Sequence, residues 1–259
     1  MKKSMIVFIA ILSFLVLPPI DAKNRPGINQ VFLNNSSEWV QTNGPGGGYI
    51  NDIAIDPSNP SVLYAAGSSE GIYKSEDGGS NWILFPFAES GNAENIEIDP
   101  QNSLVLYCNY RNLSKSTDGG LTWQESTSGF GESAHAQVFK LDPVNSNRLY
   151  VAGSKYGNQT PAVYKSDNNG AYWEDITGNL TSPSGSGPSA LSVQGNGALF
   201  VGVNDWPLKT WHKGKVFSTV DDGQSWNEID FGQSEDRFIW SIMVNPCNLQ
   251  EIWISEGPL

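Results

Sequence analysis

Ser116 to Trp123 reads STDGGLTW, and the same phrase returns three more times along the chain. Ser75 to Trp82 is SEDGGSNW, Ser166 to Trp173 is SDNNGAYW, and Thr219 to Trp226 is TVDDGQSW. The shared skeleton is Ser/Thr-x-Asp-x-Gly-x-x-Trp, with Asn168 standing for the Asp in the third copy. Successive tryptophans lie 41, 50 and 53 residues apart. That is the period of a four-stranded blade rather than of a helical pair.

Each position has a physical reason. Ser75, Ser116, Ser166 and Thr219 end a strand. The next polar residue (Asp77, Asp118, Asn168, Asp221) is expected to fold its side chain onto backbone N–H groups two residues on. Gly79, Gly120, Gly170 and Gly223 take the left-handed conformation such a tight turn needs. Trp82, Trp123, Trp173 and Trp226 open the following strand and present a large ring to wedge between neighbouring sheets.

The segments around each copy alternate as strands do. YINDIAIDPSNP, SVLYAAG and GIYKS lead into the first copy, and NWILFPF leaves it. AENIEIDPQNS, AQVFKLDPVNS and SALSVQGNG start the next three repeats in the same way. The predicted fold is therefore all-β, a β-propeller of four-stranded antiparallel blades. A fifth repeat begins with FIWSIMVNPCN and EIWISEG, and no third strand or turn phrase follows it. The expectation is about four complete blades plus part of a fifth in an incomplete, truncated ring; a five-bladed ring with a degenerate last blade is the alternative. Trp39-Val40-Gln41 reads as an outer strand that latches the last blade.

The turn phrase resembles the Asp-box, or BNR, repeat of sialidases, sortilin-type receptors, xyloglucan-specific endoglucanases and photosystem II assembly factors. The resemblance covers residues 39–259 and speaks for the fold rather than for one activity, because the same repeat serves all these classes. It implies that the turns are structural and peripheral. The opening GPGGGYINDIAIDPSNPSVLYAAG looks like the start of the xyloglucan endoglucanases. Those enzymes place one Asp in the first blade's upper link and another in a second propeller. At the matching link this chain has Ser68, with Glu70 two residues on. The sialidase Arg-Ile-Pro signature is absent from the sequence before the first turn phrase.

Residues 1–22 have the form of a signal peptide: Lys2 and Lys3, an apolar run from Met5 to Leu17, then Pro18 to Ala22. Residues 23–38 are a lead-in and 39–259 the propeller. The chain is expected to be secreted or periplasmic in a bacterium, without membrane insertion after cleavage. Its formal net charge of −12 argues against nucleic acid as a partner. Cys108 and Cys247 are the only cysteines; two free thiols are expected, with a bridge as the other possibility. No zinc-type cluster, phosphate loop or nucleophile elbow occurs, so no cofactor or metal is expected.

Strand direction sorts the loops. If the innermost strand runs downward, the turn phrases lie on the lower rim. The links between second and third strands then share the upper rim with the links between blades. The upper links carry Tyr110, Tyr156, Trp206, Trp211 and His212, whose flat rings suit the apolar face of a sugar. Glu70, Glu94, Asp205 and Glu235 are the acids available to a glycoside hydrolase, with Glu70 the catalytic candidate. The leading reading is a non-catalytic propeller that binds extracellular polysaccharide or protein through its upper loops. The alternatives are the N-terminal part of an endoglucanase-type glycoside hydrolase, and a sortilin-like or assembly-factor-like peptide scaffold.

Overall fold

The computed structural model describes residues 44–45, 49–68, 70–85, 92–110, 112–131, 134–155, 160–181, 187–195, 197–204, 214–230, 238–245, 248 and 251–257. The segment Gln41–Leu259 is one compact unit. The described residues contain strands and no helix.

The first sheet is β1 (Ile50–Ile55), β2 (Leu63–Gly67), β3 (Gly71–Ser75) and β4 (Ile83–Phe85). The second is β5 (Asn95–Ile98), β6 (Leu106–Tyr110), β7 (Asn112–Ser116) and β8 (Gln124–Glu125). The third is β9 (Ala134–Leu141), β10 (Leu149–Lys155), β11 (Thr160–Ser166) and β12 (Glu174–Asp175). The fourth is β13 (Pro188–Gly195), β14 (Ala198–Val203), β15 (Lys215–Thr219) and β16 (Asn227–Ile229). A two-stranded pair follows, β17 (Phe238–Val244) with β18 (Ile252–Gly257). In every sheet the strands pair in sequence order and antiparallel.

The core consists of the seams between successive sheets. Tyr64, Ala66 and Ile72 of the first sheet meet Ile96, Ile98, Leu106 and Cys108 of the second. Tyr107 and Leu113 point the other way, onto Phe139, Leu149 and Val151 of the third. Tyr150, Ala152 and Val163 of the third meet Leu191, Leu199 and Val201 of the fourth. Ala190 and Val216 then pack on Ile239 and Ile242 of the last pair. Successive side chains on a strand thus feed opposite seams, so middle strands such as RLYVAG are apolar on both faces rather than alternating. Cys108 is a buried free thiol in the first seam.

The innermost strands are also tied by polar links. Asp52 accepts the Ile96 N–H at 3.0 Å across the first seam. Glu97 accepts the Leu141 N–H at 2.8 Å and pairs with Lys140 across the second. Asn204 of the fourth sheet both accepts the Ile239 N–H at 2.7 Å and donates to its carbonyl at 2.9 Å.

The four turn phrases fold alike. The Ser116 hydroxyl accepts the N–H groups of Asp118 and Gly120 and donates to the Asp118 carboxylate at 2.8 Å. That carboxylate accepts the Thr122 N–H at 2.9 Å. The carboxylate therefore bonds four residues on, not two as the sequence suggested. The hydroxyl already occupies the nearer amides, and the carboxylate spans the loop. The same set recurs around Ser75, Ser166 and Thr219. Gly79, Gly120, Gly170 and Gly223 all have positive φ, between 77° and 92°.

Candidate functional site at the upper rim

Hydrogen bonds fix which loops share an end of the sheets. The Gly78 N–H donates to Ser61 O, so the β3–β4 turn sits beside the β1–β2 link. At the opposite end the Ser68 N–H donates to Tyr49 O, and the Ala93 N–H to Gly67 O. The β2–β3 link therefore lies beside the starts of the innermost strands, on what we term the upper rim.

An open depression of about 560 Å³ occupies this rim, lined by Asn51, Ser68, Asn92, Glu94, Asn95 and Gln137. Its walls come from the starts of β1, β5 and β9, which are innermost in three successive sheets. Asn109, at the end of β6 and buried, sets much of the geometry. Its backbone carbonyl accepts the Glu94 N–H at 2.8 Å and its side-chain oxygen accepts the Asn95 N–H at 3.1 Å. Its amide nitrogen donates to Ala136 O at 3.0 Å and Gln137 O at 3.3 Å in the third sheet. One side chain thus holds the second and third walls together. Asn51 braces the first by donating to Ala93 O at 2.7 Å.

Two amide oxygens of the lining residues lie beneath the surface rather than in the depression. Asn95 Oδ1 and Gln137 Oε1 are buried and have no hydrogen-bond donor. Such a group costs about 1–3 kcal/mol when unpaired. Glu94 is half-buried, and burial with nothing to offset it pushes its carboxyl pKa upward. Glu94 is the one carboxylate among the lining residues. Asp52, one turn of the pleat below, is pushed up by burial against the opposing pull of N–H groups from Ile96 and Ile53 and of the Lys140 charge. Both of its oxygens are engaged, so it is no second free acid for Glu94.

The sequence candidates fall unevenly around this depression. Ser68 lines it, with its hydroxyl accepting the Tyr49 N–H at 3.3 Å. Glu70 lies in the same link, and its carboxylate accepts the Tyr73 hydroxyl. Burial, then that hydrogen bond, push the Tyr73 phenol up to about 12. Tyr110 ends β6 with its backbone paired to Asn112. Tyr156, Asp205, Trp206, Trp211, His212, Glu235 and Cys247 lie outside the described residues, as do the signal segment and the latch at Trp39. Asn51, Asn92, Asn95, Asn109 and Gln137 were not singled out from sequence. Their one signal there is amides in or beside apolar strands.

The described residues contain no cluster of three His, Cys, Asp or Glu able to hold a metal ion. Among the described residues there is no helix long and apolar enough to cross a membrane.

No protein-family model matches the sequence, and no curated protein matches it. Solved structures do. A GH74 enzyme of Niastella koreensis superposes with a TM-score of 0.61 at 24% identity, over 79% of this chain and 35% of that one. The GH74 xyloglucanase of Xanthomonas campestris gives 0.60 at 20% identity, over 78% and 34%. YCF48 bound to D1 peptide gives 0.56 at 14% identity, over 80% and 60%. The sheets are blades of a β-propeller. Four blades and a two-stranded part of a fifth stand in an unclosed arc, as the repeats implied. The chain spans about a third of the length of the GH74 structures it matches. At these identities the likeness speaks for the propeller fold alone.

Proposed function

We propose that this chain is an exported binding propeller whose upper rim takes an extracellular glycan or protein without transforming it. The observation that carries this reading is the depression itself: an open, polar-lined hollow with the half-buried carboxylate of Glu94 in its wall, on the rim opposite the structural turns. The upper links vary in length, and the longest carries Trp206 and Trp211, whose rings suit the apolar face of a sugar.

Two features weigh against turnover. Ser68 stands at the link position where the resembling endoglucanases keep an acid, and Glu70 is held by Tyr73. Glycoside hydrolysis needs two carboxyls flanking the bond, about 5–10 Å apart. The lining offers Glu94 alone.

The test pairs binding with hydrolysis. Xyloglucan oligosaccharides are titrated while tryptophan fluorescence is read, and reducing ends are counted over the same period. In parallel the immobilised chain is probed with a peptide array. Binding of a glycan or peptide without new reducing ends is expected, with Trp211→Ala removing the fluorescence change if the ligand stacks there. Hydrolysis that disappears in Glu70→Gln overturns the non-catalytic reading, and failure to bind any glycan or peptide overturns the binding one. Export is checked by fusing residues 1–30 to a phosphatase active only outside the cytoplasm.

A further inference from the structure

One seam at the lower rim lacks the acids that its neighbours carry. Lys74, Lys115 and Lys165 hold the same place, next to last in the third strand of their blades. Lys74 is paired at 2.8 Å with Glu76, two residues on. Lys165 is paired at 3.2 Å with Asp167, again two residues on, and at 3.6 Å with Asp222 in the next blade's turn. For Lys115 the corresponding residues are Thr117 and Asn169, both neutral. Its ammonium group donates to the Asn169 carbonyl at 2.9 Å and lies 5.4 Å from the centre of the Tyr107 ring. It makes no ion pair with any carboxylate among the described residues.

The charge states follow the same contrast. Burial works against the ammonium form of both Lys74 and Lys115. At Lys74 the contacts with Glu76 and Tyr64 outweigh it, and the pKa is raised. At Lys115 only the charge of Asp99 opposes it, and the pKa is lowered. A half-buried ammonium without a counter-ion is costly unless something supplies one.

Lys115 lines a recess of about 200 Å³ between the second and third turns, together with Thr117 and Asn168. The Asn168 oxygen is taken by the Ser166 hydroxyl and the Tyr172 N–H, which leaves its amide nitrogen without an acceptor. The Thr117 hydroxyl is exposed and likewise unengaged. Glu125 is the one carboxylate of the lining, and it accepts the Asn112 amide at 3.2 Å. Beside the recess in sequence, Leu121 and Tyr172 of the same two turns are 64% and 58% exposed.

We propose that this recess receives the side-chain carboxylate of an aspartate or glutamate in a protein partner, which takes on Lys115 the place that Glu76 takes on Lys74 and Asp167 on Lys165. The ammonium group supplies the counter-charge, and the Thr117 hydroxyl and Asn168 amide donate to the same oxygens. The formal net charge of −12 repels a small free anion. A peptide segment offsets that repulsion with apolar contacts to Leu121 and Tyr172, which a free anion cannot make. An acidic sugar favours a ring to stack on, and no aromatic residue lines the recess. The site lies on the rim opposite the depression and does not depend on what the depression binds.

The test uses the full chain labelled with ¹⁵N and acetyl-Leu-Glu-Leu-amide as probe, reading the backbone amide of Ala171 and the side-chain amide of Asn168. Both should shift saturably. Acetyl-Leu-Gln-Leu-amide should bind at least about fivefold more weakly. Lys115→Gln should weaken the glutamate probe as much, whereas Lys215→Gln, an equal loss of charge elsewhere, should leave it unchanged. Thr117→Glu restores the carboxylate from within the chain. It should weaken the probe as strongly and raise the Lys115 pKa, and its exposed position guards against a Lys115 variant that perturbs the seam. Equal affinity for the two probes, undiminished binding in Lys115→Gln or Thr117→Glu, or no shift with the glutamate probe would each overturn the proposal. So would glucuronate or inorganic phosphate moving the same resonances at lower concentration, because the recess would then belong to an acidic sugar or a tetrahedral anion.

Discussion

Gly78 donates its backbone N–H to the carbonyl of Ser61 at 2.9 Å, joining the β3–β4 turn to the β1–β2 link of the same blade. The equivalent bonds are Gly119 to Leu104, Asn169 to Asn147 and Asp222 to Gly197. All four donors have positive φ, 72° and 74° for the glycines and 56° for Asn169 and Asp222. The left-handed backbone aims the N–H across the rim, so conformation and hydrogen bond are one device. A β-branched residue resists that conformation. Asn169→Val should therefore lower stability by about 1–3 kcal/mol, whereas Asn169→Gly should be close to neutral. Chemical denaturation of both variants separates the two outcomes.

The hydroxyl at the head of each turn is nearly inaccessible and accepts two amides. Ser116→Ala leaves the Gly120 N–H, inside the fold, without its acceptor, and a loss of about 1–3 kcal/mol is expected. The carboxylate beside it acts differently. Hydrogen bonds from Thr122 hold Asp118 at about 2, and those from Ser225 hold Asp221 at about 2. These folded values lie below the unfolded one, so the stabilisation is present above about pH 4 and is lost as pH falls toward 2. Asp118→Asn should flatten the acid limb of a thermal melt series without altering ligand binding at the upper rim.

The four tryptophans are equivalent in sequence but not in energy. Trp173 is fully buried and donates its indole N–H to Ser126 O of the preceding blade at 2.9 Å. Trp226 likewise donates to Ile176 O, while half-buried Trp82 donates to Gly79 O within its own turn. Trp173→Ala should cost about 3–5 kcal/mol, as large core truncations do. Trp82→Ala should cost distinctly less, and equal losses would show that the seams do not depend on the indole.

These contrasts mark how far the sequence could be read. The turn phrase is local: Ser116, Asp118, Gly120 and Trp123 meet within eight residues, so spacing alone reveals blade, period and rim. The depression is not local. Asn109 reaches Ala136 and Gln137, 27 and 28 residues on, and nothing in their neighbours announces the meeting. Buried amides in an apolar strand read as noise until the seam between blades brings them together. Aromatic-rich links drew attention to Trp206 and Trp211 because rings stand out in a sequence, whereas an unpaired amide oxygen is visible only once its surroundings are in place.

The outward face of the last pair predicts association. Met243 opposes Trp253 across β17 and β18, and they are 50% and 46% exposed; nearby Trp240 is 62% exposed. Their other face packs on the fourth blade through Ile239 and Ile242. An exposed, apolar, two-stranded face of this kind recruits a second copy. Sedimentation velocity should reveal concentration-dependent self-association of the chain, relieved by Trp240→Lys with Trp253→Lys. A wild-type chain that stays monomeric at every concentration tested would count against it.

Glu94 links the depression to stability in the opposite sense from the turn aspartates. Burial raises its folded pKa above the ordinary 4.5, and no described partner pulls it back. An acid of this kind binds more protons folded than unfolded. It favours the fold at low pH, and that contribution disappears as pH rises through the raised value. At neutral pH the ionised carboxylate is thus a standing penalty. Glu94→Gln should melt at a higher temperature than wild type near pH 7.5, and the gap should close below about pH 4, where both side chains are neutral. A variant that melts at or below the wild-type temperature near pH 7.5 would mean that the carboxylate is already satisfied within the protein, and that the depression holds no reserve for a ligand.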